Sequence, residues 1–228
     1  RIILAAMSFW SCCTDPGQLN DVEVLEREPL SPRRTGTDAS GEPQALQLEF
    51  IARIDKPTAD VSLGLDIDCA DGRTMHVCGL RPGANLIQEY NKLADEDSKI
   101  RVHDFIIWVN DVSEDVDAMV QELQTQPNLD LVLRRPITFR VNINKKGSDL
   151  GLDLRYAEQG RSLVVDTIES GRIDDWNATN PAKVVRCRDR IIEVNGRSGS
   201  ALELLGHLSA TEILDILIIR PAIPVNGY

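Results

Sequence analysis

The side chains that carry out covalent or metal chemistry are few in this 228-residue chain, and they stand far apart. Its three histidines, His76, His103 and His207, suggest no Ser/His/Asp or Cys/His arrangement, and no Gly-x-Ser-x-Gly turn is present. Five cysteines, Cys12, Cys13, Cys69, Cys78 and Cys187, are odd in number and lack the paired spacing of a zinc or thioredoxin site. These residues give no reason to expect an enzyme, a metal centre, a cofactor or a disulfide framework. What recurs instead is a glycine set between leucines, in Leu63-Gly64-Leu65 and again in Leu150-Gly151-Leu152. On its own each glycine reads as a bulge or a tight turn.

The recurrence extends well beyond three residues. Ser62-Leu63-Gly64-Leu65-Asp66 returns as Asp149-Leu150-Gly151-Leu152-Asp153. Asp104-Phe105-Ile106-Ile107-Trp108-Val109-Asn110-Asp111 returns as Asp189-Arg190-Ile191-Ile192-Glu193-Val194-Asn195-Gly196, and Arg135-Pro136 as Arg220-Pro221. The offset is 87 between the glycines (64 to 151) and 85 for the other two blocks (104 to 189, 135 to 220). Chance similarity does not hold register over three separated blocks, so the chain reads as one module written twice. Modules of about 90 residues are large enough to fold around a core each.

Around these blocks the apolar pattern predicts the elements that position them. Leu46, Leu48, Phe50, Ala52 and Ile54 alternate with more polar residues, as do Ile137, Phe139, Val141 and Ile143, so each module opens with a strand. Strands are also expected after each Leu-Gly-Leu block, over 74–80 and 162–168, and at each Ile-Ile pair, which closes on Asn110-Asp111 or the hairpin signal Asn195-Gly196. Val116, Met119, Val120 and Leu123 recur at helical spacing, as do Ala201, Leu204, Leu205 and Leu208, and a last strand follows each helix. A short helix is expected over 84–93 of the first copy, and the repeats diverge most there. Asp15 to Gln44 is rich in Pro, Gly and charge, and reads as a disordered tail.

Charge separates the copies. Residues 46–136 hold 9 basic and 17 acidic side chains, whereas residues 137–228 hold 12 of each, so the net charge of -11 lies in the first copy and the tail before it, mainly in the first copy. An acidic or neutral surface argues against general nucleic-acid binding, which needs basic charge against phosphates. The cysteine usage fits a reducing, cytoplasmic setting. No apolar stretch nears the ~20 residues of a membrane span. Ile2 to Trp10 is apolar but short, compatible with the end of a targeting peptide, and Arg1 in first position leaves the chain readable as a fragment. Cys12 and Cys13 are candidates for thioacylation, which would associate the tail with a membrane; the alternative is two free thiols.

The order strand, Leu-Gly-Leu loop, two strands, short helix, Asp-x-Ile-Ile-x-Val-Asn strand and turn, long helix and final strand resembles the PDZ family over residues 46–221. The resemblance implies a mainly β fold with α: two PDZ-like domains, each a partly open antiparallel sandwich or barrel of five to six strands capped by two helices. The implied divisions are a 1–45 tail, domains over 46–136 and 137–221, and a 222–228 tail. It further implies that the amides of Leu63, Gly64 and Leu65, and of Leu150, Gly151 and Leu152, form nests for a peptide carboxylate, with Lys145 in support. The peptide would pair with Asp66, Ile67 and Asp68, or with Asp153, Leu154 and Arg155. Val116, Val120 and Leu123, or Ala201, Leu205 and Leu208, would line the groove from the helix. Neither helix begins with the histidine that in this family favours a peptide hydroxyl, so ligands of the type Φ-x-Φ-COOH (Φ apolar) are expected.

The implied function is a non-catalytic scaffold or adaptor that captures protein C-termini. The less acidic second module is the better carboxylate binder on charge, and Gly206 inside its helix softens its groove. A regulatory fragment of a larger enzyme such as a serine protease, and a structural subunit whose grooves are filled by the chain itself, stay open. The two modules meet with no linker after Pro136, which predicts a fixed relation between them.

Overall fold

The computed structural model describes residues 4–7 and 48–222, with side chains over 48–222. Strand β1 (Leu4–Met7) comes first in the chain and joins the second of two sheets. Then follow β2 (Glu49–Asp55), β3 (Leu65–Asp68), β4 (Met75–Leu80), helix α1 (Leu86–Leu93), β5 (Phe105–Val109), β6 (Val112–Ser113), α2 (Val116–Thr125) and β7 (Asn128–Arg134). The same succession returns as β8 (Pro136–Asn144), β9 (Leu152–Ala157), β10 (Leu163–Ile168), α3 (Arg172–Thr179), β11 (Arg190–Val194), α4 (Ala201–Ala210) and β12 (Ile213–Pro221). The fold is mainly β, with four helices among the described residues.

The first sheet runs β2-β7-β5-β4-β3 with β6 on β5, and it is antiparallel throughout. The second runs β1-β9-β10-β11-β12-β8 and is antiparallel except at β1, which lies parallel to β9. Each sheet closes on its own apolar core. Phe50, Ala52 and Ile54 face inward from β2 with Leu129, Leu131 and Leu133 of β7 and Met119 and Leu123 of α2. Val141 and Ile143 of β8, Leu214, Ile216 and Ile218 of β12, and Leu204 and Leu208 of α4 do the same in the second half. A short helix is present in both halves, so the divergence of sequence around 173–177 changes its surface and leaves its backbone in place. Part of the segment before residue 46 is strand β1; the rest of it, the tail expected to be disordered with Cys12 and Cys13 included, lies outside the described residues.

The repeated sequence blocks have identifiable structural jobs. Asp104 accepts a 2.6 Å bond from Arg135, and Asp189 a 2.7 Å bond from Arg220, while each carboxylate also takes a backbone amide, of Arg101 or Arg186. The same arginines lie over the rings of Phe50 and Phe139, at 4.5 and 4.7 Å. Each pair thus fastens the approach to the Ile-Ile strand to the end of the last strand. Burial pushes the Asp189 carboxyl up to about 6 and Asp104 above its ordinary value, because loss of water outweighs the arginine beside each.

The Ile-Ile pair serves two surfaces. A strand points successive side chains to opposite faces, so Ile106 and Ile191 enter their own cores while Ile107 and Ile192 meet each other's half. A bulge between Ile106 and Trp108, matched by one between Ile191 and Glu193, brings Val109 and Val194 back to the core face. Phe105, Ile107, Ile192 and Ile219 form a separate buried cluster between the sheets, flanked by Val132 and Leu217. A smaller one joins Ala70 to Ala157 and Val164.

Candidate functional site

Two glycine loops and two strand edges make up the candidate site. In the first loop Gly64 has φ +87°, the left-handed region that glycine enters without a steric penalty. The carbonyls of Leu63 and Gly64 turn inward, accepting from the amides of Ile87 and Arg81 at 3.1 and 2.9 Å. The second loop repeats this arrangement, with Gly151 at φ +72° and the carbonyls of Leu150 and Gly151 accepting from Ile173 and Glu169 at 3.0 and 2.9 Å. Each loop is therefore stitched to the start of the short helix behind it. The close approach differs in kind. A Cβ on Gly64 would lie 2.2 Å from Cγ of Asn85, which caps α1 by accepting from the Gln88 amide; one on Gly151 would lie 2.5 Å from the Glu169 carbonyl oxygen.

The flanking leucines, Leu63, Leu65, Leu150 and Leu152, are all buried in the respective cores. Val116, Val120 and Leu123 of α2 share the first cluster with Leu63, Leu65 and Ile67. Ala201 and Leu208 share the second with Leu150 and Leu152, while Leu205 is only half-buried at its margin. Loop, strand and long helix thus converge in each half as the sequence suggests. Lys145 donates to the Ser209 carbonyl at 3.2 Å, at the C-terminal end of α4, where a cation is favoured by the exposed carbonyls. Lys56 makes the matching 2.8 Å bond to Leu123 at the end of α2, and it is buried.

The two edges are not alike. Strand β3, which carries Asp66, Ile67 and Asp68, pairs only with β4 among the described residues, so its outer edge has no neighbouring strand there. Strand β9, which carries Asp153, Leu154 and Arg155, has β4's counterpart β10 on one side and β1 on the other, in the parallel register Leu4↔Leu154 to Met7↔Ala157. A strand edge offers one row of donors and acceptors and can satisfy one partner. The half with the better charge for a carboxylate is therefore the half whose pairing edge is already taken.

The residues of β3 are unequally free. Asp66 is half-exposed and paired with Arg81 at 2.9 Å, Ile67 points into the core, and Asp68 is fully buried between the halves. Asp68 accepts from the Ser162 hydroxyl at 2.8 Å and the Ala70 amide at 2.9 Å, and it faces Arg190 Nη1 at 3.1 Å. Arg190 is itself fully buried and also meets Asp71 at 3.2 Å. Burial alone would raise the Asp68 carboxyl, yet Arg190 and these hydrogen bonds hold it below its ordinary value. Beside them His76 is buried, shares a 3.2 Å Nε2···Nδ1 hydrogen bond with His103, and is kept well below the usual imidazole range by desolvation and by Arg190. This polar cluster was not visible in the repeat pattern: Arg190 occupies the variable position of the Asp-x-Ile-Ile block, where the first copy has Phe105.

Comparison with known proteins gives a thin frame. No protein-family model and no curated protein sequence matches the chain. Among solved structures it is similar to INAD PDZ45 in complex with NG2 peptide, at 15% identity over 84% of this chain and 98% of that one, with a TM-score of 0.34. It is similar also to INAD PDZ45 with NORPA CC-PBM, at 15% identity over 79% and 94%, again with a TM-score of 0.34. At that level neither likeness decides a function, which has to rest on the loops and edges themselves.

Proposed function

We propose that the chain is a non-catalytic peptide-capture unit of two PDZ-like domains, over 46–136 and 137–221, and that its working groove is the first one. An extended C-terminal segment of a partner protein adds to the outer edge of β3, and its carboxylate meets the amides of Leu63, Gly64 and Leu65. Main-chain pairing supplies affinity, and the apolar wall of Val116, Val120 and Leu123 selects a Φ-x-Φ-COOH end. The observation that carries this reading is the edge of β3, unpartnered among the described residues, directly after a glycine loop whose carbonyls are tied inward.

For the second half a different reading has its own support. With β1 along β9, that groove acts as a structural seat for the chain's own strand. Both readings are tested by one titration, in which the full chain labelled with ¹⁵N meets a peptide ending in Val-x-Val with a free carboxylate, and then the same peptide amidated. The expected result is chemical-shift change at residues 63–68 with the free acid, loss of binding on amidation, and little change at 150–157. Equal affinity of the amidated peptide would overturn carboxylate capture, and shifts confined to 150–157 would overturn the assignment to the first groove.

A further inference from the structure

We propose that Arg190, which belongs to the second half, is a positioning residue for the peptide-pairing edge of the first. The inference rests on the reading of β3 as the working edge, but part of its test does not. Asp68 is the last residue of that strand, and Arg190 holds it twice, at the carboxylate through Nη1 at 3.1 Å and at the backbone carbonyl through Nη2 at 3.2 Å. Ser162 completes the grip, bridging Arg190 Nη1 at 3.0 Å and Asp68 Oδ2 at 2.8 Å. Arg190 and Ser162 both come from the second half, and their sequence separation from Asp68 is 122 and 94 residues.

A strand held by a neighbour on one side alone is free to fray at its end, because the ordering entropy of each residue must be offset by bonds. At β3 the inner side is held by β4 through a ladder interrupted by a bulge between Asp66 and Ile67. Beyond the bulge Ile67 and Asp68 still pair with Val77 and His76, and the Arg190 clamp adds a hold on the last of these residues from the other half. A guanidinium suits this task because its planar fork reaches a carboxylate and a carbonyl at once, which the point charge of a lysine does not. The clamp joins the two halves beside the apolar clusters between the sheets, so the geometry of the first groove depends on the two halves staying together. By reciprocity, a peptide that orders β3 favours the closed seam.

The test is hydrogen exchange and peptide affinity measured on the full chain with Arg190→Met, Arg190→Lys and Ser162→Ala, the peptide being the Val-x-Val free acid. Ser162→Ala removes one hydroxyl and no charge, so it reports even where Arg190→Met fails to fold. Expected is about tenfold faster exchange at residues 66–68 in Arg190→Met, the scale of one lost charge-assisted bond, with β2 and β7 unaffected. A similar loss of peptide affinity should accompany it, with partial recovery in Arg190→Lys and a smaller effect of about two- to threefold in Ser162→Ala. Unchanged exchange at 66–68 in folded Arg190→Met and in Ser162→Ala would overturn the proposal. If exchange at 66–68 rises while the wild-type chain binds no peptide, the positioning role stands and the proposed function falls.

Discussion

The stitched loop of the first half makes a quantitative prediction about Gly64→Ala. An alanine in the left-handed region costs about 1–2 kcal/mol. Its Cβ would also sit 2.2 Å from Asn85 Cγ and 2.4 Å from Oδ1, so the asparagine must swing away. That movement breaks the Oδ1 bond to the Gln88 amide, worth about 1 kcal/mol for a helix cap. The sum is about 2–3 kcal/mol. Asn85→Ala alone removes the same cap at about 1 kcal/mol and clears the space. Introducing Gly64→Ala into that background then costs only the backbone strain, about 1–2 kcal/mol, so the double variant should be no less stable than Gly64→Ala by itself. Urea unfolding of the four chains closes the cycle, with an expected coupling of about 1 kcal/mol. If the two costs add to within about 0.5 kcal/mol, the asparagine does not sense the new methyl and the steric argument is wrong.

Three further outcomes follow from the same structure. Gly206 lies within α4, and a Cβ placed on it would meet nothing within 4 Å, so Gly206→Ala should raise stability by about 1 kcal/mol in the same urea assay. His76 and His103 both titrate below their ordinary 6.5 in the folded chain, so the unfolded chain takes up protons first and stability should fall as pH drops below about 6.5. The groups facing His76 are His103, Asp68, Arg190 and the Phe105 ring. Asp189, held up to about 6, acts with the opposite sign between about 4 and 6, so the histidine share is read as wild type minus His76→Phe; an unchanged slope in that difference would refute it. Finally, a chain lacking residues 1–7 should show faster amide exchange at 154–157, and identical protection there would mean that β1 contributes nothing to the β9 edge.

Much of this arrangement was legible in the sequence because it depends on local pattern. The alternation from Phe50 to Ile54 does face the core, the helix stripe of Val116, Val120 and Leu123 does meet Leu63 and Leu65, and the constant offset of 85 marks an ion pair made twice. What stayed hidden depends on contacts between distant segments. Asp68 reads as one more polar residue of a pairing strand, and only its burial against Arg190 shows that it belongs to the seam. Leu205, expected to line the groove, is only half-buried, whereas Leu204 one residue before it is fully buried in the core. Charge counts favoured the second half as the carboxylate binder, but a count over a segment carries no information on whether an edge is already paired.

The seam itself explains why two like halves should end with unlike edges. Several of its apolar residues occupy equivalent places in the two halves: Ile107 matches Ile192, Val132 matches Leu217, and Ala70 matches Ala157 across the smaller cluster. Two copies joined through the same face of each have the logic of a twofold dimer, in which any change at one position alters both sides at once. Within one chain the two halves are free to differ at matching positions. Where the first copy has Phe105, the second has Arg190, and the charge is accepted because Asp68 and Asp71 surround it. A buried guanidinium without such partners would be strongly destabilising, so this substitution commits the β3 end to the seam in a way its counterpart Arg155 is not committed. Arg155 instead pairs with Asp166 at the surface of its own half, and its strand accepts β1. The asymmetry that leaves one edge without a partner strand among the described residues and fills the other thus accompanies an exchange of an aromatic ring for a charge in the seam.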